Sequence, residues 1–260
     1  MQNVALITGA SSGIGRELAA IHAARGGDLV VTARRADLLD ALKAELESAH
    51  GVEVLPVALD LAAEGAPQRL RDRVADAGIE VEYLINNAGF GGCGPFARRP
   101  WDVDHAMIRL NIVALTALCR LYLPEFLARG RGRVLNVSST AGQLPGPLHA
   151  VYYASKAFVT SLSHALAEEA RGTGVTVTAL LPGATATGFA ARSGMDRTGL
   201  FDHAASAAAV ARAGYDGMMR GRLTVIAGVR PWQRVLLPLL PLLPRALVLR
   251  QMRALQEIDD

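Results

Sequence analysis

A chain of 260 residues with 51% hydrophobic side chains has enough apolar material for one large domain or two small ones. Its formal net charge is only +3, with 27 basic and 24 acidic residues interspersed, which leaves no cationic face of the kind a nucleic-acid binder carries. Cys93, Cys119 and six scattered histidines form neither a metal-ligand spacing nor a disulfide framework, so no metal site is expected and a reducing, cytoplasmic setting is.

The chain opens almost directly in an apolar strand, and no apolar run reaches the length of about 18 residues that a membrane span needs. Neither a signal peptide nor a transmembrane helix is expected. Val4–Ile7 reads as a buried strand, followed by helical periodicity from about Gly13 to Arg25. Next come a strand at Asp28–Ala33, a helix at Ala36–Ser48, a strand at Val52–Leu59, a helix at Gln68–Ala77 and a strand at Val81–Ile85. A Gly-rich segment, Gly89–Pro95, breaks the pattern. A long helix then spans about Val103–Ala128, with a kink expected at Pro124. Arg133–Val137 is a strand, a helix runs to about Ala170, and Val175–Leu180 is the next strand. A helix near Ala204–Met219 and a short strand at Leu223–Ala227 complete the regular pattern.

Continuous apolar strands alternating with amphipathic helices predict a parallel sheet covered on both faces. The expected fold is α/β: a single doubly wound Rossmann-type domain over residues 1–230, with a parallel sheet of about seven strands. Residues 231–260 form an apolar, proline-containing extension packed on or beside it. Ligands of such sheets bind at the carboxyl ends of the strands.

Two features point to chemistry there. Thr8 to Gly15 reads Thr-Gly-Ala-Ser-Ser-Gly-Ile-Gly at the first strand-to-helix turn. Gly9 permits a tight turn, Gly13 and Gly15 allow close backbone approach, and the helix N-terminus offers free N–H groups to a phosphate. The spacing differs from the standard dinucleotide fingerprint. At the end of the second strand stands Ala33-Arg34-Arg35 where a carboxylate normally takes a ribose 2′-hydroxyl. Arg34 is placed to pair with a 2′-phosphate, which favours NADP(H) over NAD(H). The alternative is that both arginines are solvated caps of the next helix.

The second feature is Tyr152-Tyr153-Ala154-Ser155-Lys156. Residues four apart share a helix face, so the Tyr152 phenol and Lys156 ammonium project side by side as an acid/base pair. An adjacent ammonium is expected to lower the phenol pKa. Of the 27 basic residues all but Lys43 and Lys156 are arginine, so a lysine here suggests a site that a guanidinium cannot serve. Chance spacing on a helix is the competing explanation for the pair alone.

Together these pieces resemble the short-chain dehydrogenase/reductase family, over nearly the whole chain to about residue 230. The Gly-rich turn is similar to the family's cofactor turn, which implies cofactor contacts at Gly9, Ser11, Ser12, Gly13 and Ile14. Asn86-Asn87-Ala88-Gly89 is similar to its Asn-Asn-Ala-Gly motif, implying contacts from Asn87, Ala88 and Gly89. Asp60, followed by Leu61, resembles the residue that contacts the adenine. Pro182-Gly183 with Thr187 resembles the turn that holds the nicotinamide end. Asn136-Val137-Ser138-Ser139 resembles its serine strand, and the family offset between serine and tyrosine selects Ser139. Asn111 falls at the family's asparagine; an Asn that merely bonds backbone is the alternative. Tyr152 and Lys156 match its Tyr-x-x-x-Lys, and Lys156 would also bind the nicotinamide ribose. Tyr153 is left as a packing or substrate-lining residue.

The resemblance implies NADP(H)-dependent transfer of hydride between a carbonyl and a secondary alcohol, with Tyr152 as proton donor or acceptor, Ser139 bonding the oxygen, and Asn111 positioning Lys156. A homodimer or homotetramer is expected. Substrate contacts are expected in Gly91–Arg99, Gln143–His149 and Gly188–His203, with Leu144, Phe189, Met195 and Phe201 making a lipophilic pocket. His149 is expected at the surface. The tail, with proline at every third position from Pro238 to Pro244 and a helix from about Arg245, is an oligomer contact or a cover over the site; a peripheral membrane anchor is the less favoured alternative. A non-catalytic NAD(P)-binding sensor is the competing function, disfavoured because a sensor does not need the Ser139, Tyr152 and Lys156 set.

Overall fold

The structure, a computed structural model, describes residues 1–194, 204–237, 239 and 244–256. β1 (Val4–Thr8) is apolar up to its last residue and buried throughout, as a strand covered on both faces must be. It leads into α1 (Gly13–Ala23), β2 (Leu29–Ala33), α2 (Ala36–His50), β3 (Val54–Ala58), α3 (Ala66–Asp76) and β4 (Val81–Asn86). Beyond the Gly-rich segment, α4 (Trp101–Ile108) passes through a π-helical stretch, Arg109–Ala114, into α5 (Leu115–Ala128). β5 (Gly132–Val137), α6 (Ala150–Glu169) and β6 (Val175–Pro182) follow. The remaining described elements are β7 (Thr185–Ala186), α7 (Phe189–Ser193), β8 (Ala205–Ser206), α8 (Ala207–Met219), β9 (Thr224–Ala227), α9 (Pro231–Leu236) and α10 (Arg245–Gln256).

Seven strands form one parallel sheet in the order β3-β2-β1-β4-β5-β6-β9, as expected from the alternating pattern. The chain starts mid-sheet at β1, builds outward through β2 and β3, then crosses back to β4 on the other side of β1. That reversal opens a crevice at the carboxyl ends of β1 and β4, where ligands of doubly wound sheets bind.

Strand alternation divides the core. Ala5, Ile7, Leu29 and Val31 face one side, against Leu18 of α1, Leu39 of α2 and Tyr215 of α8. Val4, Leu6 and Val30 face the other, against Leu70 of α3, Tyr122 and Phe126 of α5, and Val159 of α6. The helix Trp101–Ala128 is long and apolar enough by composition to cross a membrane, yet its Leu115, Leu118, Tyr122 and Phe126 are buried on the sheet. It continues unbroken through Pro124; its irregularity falls earlier, at the π-helical stretch around Asn111.

Candidate functional site

A cavity of about 1190 Å³ opens along the carboxyl ends of the strands. The Gly-rich turn, the end of β2, the start of α6 and the segment after β6 all contribute to its walls.

At its centre the turn after β1 is tied to the end of β4. Thr8 Oγ1 accepts from the backbone N–H groups of Asn87 and Ala88, each at 2.9 Å. Asn87 Nδ2 donates back to the carbonyls of Thr8 at 2.9 Å and Gly9 at 3.2 Å. Gly9 takes φ +68°, and a Cβ there would lie 2.8 Å from Asn87 Nδ2 and 2.9 Å from Ala88 Cα, so the position tolerates no side chain. A Cβ on Gly15 would meet the Gly9 carbonyl oxygen at 2.4 Å, which is how α1 starts so close to the strand. The close approach expected of Gly15 is therefore made to the chain's own turn. Ser12, at the N-cap of α1, bonds no helix N–H with its side chain, and no acid occupies the first turn. The helix start retains its positive end for an anion.

Arg34 and Arg35 are both exposed and both line the cavity. Arg35, which sequence reasoning passed over, reaches back across the turn: its Nη2 donates to Ser11 Oγ at 3.1 Å and Ser12 Oγ at 3.4 Å. Only an exposed pair of adjacent guanidiniums was legible beforehand. Asp60 and Leu61 close this end, with Asp60 Oδ1 capping the Ala62 N–H at 3.0 Å.

The acid/base residues stand at the other side of the turn. Tyr152 and Lys156, on the first turns of α6, are 7% and 5% exposed, and both line the cavity. Lys156 Nζ donates to the Val137 carbonyl at 2.9 Å and lies 5.9 Å from the Tyr152 ring centroid. Burial pushes the Lys156 ammonium down to about 8. Burial pushes the Tyr152 phenol up to about 12, opposed by a hydrogen bond with the Ser139 side chain. This direction is opposite to the lowering expected from the Tyr-Lys spacing: burial of the phenol dominates, and the Lys156 ammonium donates to the Val137 carbonyl.

Ser139 and Ser138 have separate fates. Ser139 is extended at the end of β5, its Oγ accepting the Ala141 N–H at 3.1 Å and reaching the Pro182 carbonyl at 3.4 Å, and it lines the cavity. Ser138 Oγ is buried against the Lys156 carbonyl at 2.8 Å and Thr160 Oγ1 at 2.7 Å, fastening α6 to β5. Pro182, Gly183 and Thr187 line the cavity opposite, and a Cβ on Gly13 would sit 3.0 Å from Thr187 Cγ2.

Asn111 is the site residue that does not reach the cavity wall. Its Oδ1 accepts the Phe90 N–H at 3.1 Å, and its Nδ2 donates to the Phe90 carbonyl at 2.9 Å and Ser155 Oγ at 3.0 Å. The π-helical stretch turns this amide toward the β4 loop, and a Cβ on Gly89 would lie 3.0 Å from Asn111 Oδ1 and 3.4 Å from Lys156 Nζ. Asn111 thus ties the π-helical stretch to the Phe90 backbone and to Ser155 of α6, not to the backbone of its own helix.

Phe90, Tyr153 and Phe189 line the cavity and pack with Tyr152 as an apolar wall. Phe189 belongs to the expected pocket; Leu144 does not line the cavity, and Met195 and Phe201 lie outside the described residues. The loop from Gly91 is braced by Arg99, whose guanidinium bonds the Cys93 carbonyl at 2.6 Å and pairs with buried Asp104. His149 is 1% exposed, not a surface residue: Leu148 at φ +63° turns the chain so that His149 Nδ1 meets the Gly92 carbonyl at 3.0 Å. Burial lowers its pKa.

A sequence profile described as short chain dehydrogenase matches residues 3–198. This chain belongs to the short-chain dehydrogenase family. Among its members, sulfoacetaldehyde reductase 2 of Chromohalobacter salexigens is 40% identical over 204 residues, covering 76% of this chain and 79% of that one. The human very-long-chain 3-oxoacyl-CoA reductase is 36% identical over 183 residues, covering 68% of this chain but 58% of the longer enzyme. A short-chain dehydrogenase from Sphingobium yanoikuyae, solved in complex with NADPH, superposes with a TM-score of 0.82 at 35% identity, over 89% of this chain and 90% of that one. The family is thus one of oxidoreductases that use a nicotinamide cofactor, and the cradle around Gly9 fits such a group.

Proposed function

We propose that this short-chain dehydrogenase reduces a lipophilic ketone or aldehyde with NADP(H), or oxidises the corresponding alcohol. The observation that carries the reading is that the buried Tyr152 phenol, Lys156 and Ser139 line the same cavity as the Gly-rich turn. Bound in that cavity, the reduced nicotinamide supplies the hydride. Ser11 to Ile14 and the start of α1 would hold the pyrophosphate, Asp60 and Leu61 the adenine, and Pro182, Gly183 and Thr187 the nicotinamide end. Arg34, exposed on the cavity wall with Arg35 beside it, would pair with a 2′-phosphate, which favours NADP(H) over NAD(H).

The chain's own residues manage the proton. Ser139 Oγ–H bonds the carbonyl oxygen and strengthens that bond as negative charge develops. Tyr152 gives its proton to the same oxygen, for which a phenol kept protonated by burial is suited. Lys156 spends one of an ammonium's three donors on Val137, leaving two for ribose hydroxyls and for the tyrosinate as it forms. Asn111 holds Phe90, and with it the backbone beside Lys156.

The relatives named above bear the names of a small sulfonated aldehyde and a very long acyl thioester; the wall of Phe90, Tyr153 and Phe189 favours the apolar kind of carbonyl. We place the enzyme in the cytoplasm as a homo-oligomer, which exposed Phe96, Trp101 and Val113 support. A monomeric mass by light scattering contradicts the last point. The decisive assay is NADPH oxidation against ketones, aldehydes, steroids and 3-oxoacyl thioesters. Oxidation with an apolar carbonyl is expected; tight NADPH binding with no oxidation by any of them contradicts the reading and favours a sensor.

A further inference from the structure

The C-terminal helix docks behind the two tyrosines. Val248 of α10 is buried, and Met252 packs against the cluster of Met107, Tyr152 and Tyr153. Gln256 is 0% exposed, and its Nε2 donates to the Tyr153 hydroxyl at 2.5 Å, a bond across 103 residues. Tyr153 is held on its other sides as well. Its ring meets Tyr152 edge-on with centroids 6.0 Å apart, and the His149 ring lies 6.1 Å away. Gly146 presses so close that a Cβ there would stand 2.4 Å from the Tyr153 ring.

The consequence is chemical. Tyr153 lines the cavity, and the Gln256 amide, donating to its hydroxyl oxygen, anchors that end of the side chain toward α10, so the ring is the surface it turns to a substrate. An unpaired phenol would be free to turn toward any polar group in the cavity, and a buried one left without a partner is costly.

We propose that Gln256 is a positioning residue for substrate selection: through its bond to Tyr153 it holds that ring as an apolar wall beside Tyr152, so that carbonyl compounds with an extended apolar arm are preferred. This rests on the proposed carbonyl reduction. α10 thereby becomes part of the substrate site without itself touching substrate.

The test compares butanone with a long-chain methyl ketone, undecanone, in the full-length enzyme with saturating NADPH. Gln256→Leu is expected to raise KM for undecanone about tenfold with little change in kcat, and to leave kcat/KM for butanone within about twofold. Tyr153→Phe breaks the same bond from the other side; it carries the same rise in KM for undecanone and stands in if Gln256→Leu does not fold. The double variant Tyr153→Phe/Gln256→Leu removes both polar groups and is expected to return KM for undecanone to within about threefold of wild type. A merely structural role predicts equal losses for both ketones. Equal losses, no loss in either single variant, or a double variant no better than Gln256→Leu overturns the proposal. Wild-type enzyme that turns over neither ketone overturns this proposal, whereas no oxidation with any carbonyl of the wider panel overturns the proposed function as well.

Discussion

Ser138 and Ser139 are neighbours in sequence, yet only one can reach a reacting oxygen. Ser138 Oγ is spent on the Lys156 carbonyl and Thr160. Ser139 faces the cavity within reach of Tyr152. Ser139→Ala is expected to lower kcat by about a hundredfold or more, the loss seen when an oxyanion donor is removed. Ser138→Ala is expected to keep kcat within a few-fold while costing about 1 kcal/mol of stability, read by denaturant unfolding. The reverse pattern contradicts the assignment. Lys156 supplies a pH dependence with a definite sign. Its amine is lowered to about 8, so the ammonium is present below that pH and lost as pH rises through it. The reductive kcat/KM is expected to be flat at lower pH and to fall above about 8. In Lys156→Arg, whose guanidinium stays charged, that falling limb should vanish from the measurable range even if the plateau is lower. A reductive rate that climbs above pH 8 contradicts the role given to the ammonium.

At the scale of elements, the proposed preference for NADP(H) rests on the turn from β2 to α2. Arg34→Ala/Arg35→Ala is expected to raise KM for NADPH about tenfold or more and that for NADH far less, since a charge-assisted pair to the 2′-phosphate is lost. Equal effects on both cofactors remove that assignment. This turn also shows how far the sequence could be read. Continuous apolar runs such as Leu29–Ala33 located the strands because burial on both faces leaves no other pattern. The choice between Arg34 and Arg35 was not legible, because it depends on which guanidinium meets Ser11 and Ser12 on a different turn. The π-helical stretch at Arg109–Ala114 was hidden for a similar reason: its residues continue an ordinary helical pattern, and the departure serves the Phe90 backbone. β7 and β8, two residues each, are too short to carry any period. The burial of His149 follows from the positive φ at Leu148, which a leucine does not announce.

For the whole molecule, what was legible and what was not follow the two ends of the cavity. The cofactor end is built from short-range turns directly after strands, so every residue named there from sequence does line the cavity. The substrate end is assembled from distant segments: the β4 loop, α6, α7, and α9 with its Trp232 and Gln233. Tyr153 and Gln256 meet across 103 residues, and no local spacing encodes such a contact. The profile shared with the family ends at residue 198, before α8, α9 and α10. Ser139, Tyr152 and Lys156 fall within the shared part, and Gln256 of α10, which holds the Tyr153 hydroxyl, lies beyond it. In the proposed function Tyr152 delivers the proton for reduction by NADPH. The direct measurement is the rate of NADPH oxidation with a carbonyl substrate in Tyr152→Phe, alongside its affinity for NADPH. Affinity within about twofold of wild type and turnover reduced by about a hundredfold or more are expected. Undiminished turnover in Tyr152→Phe contradicts the account.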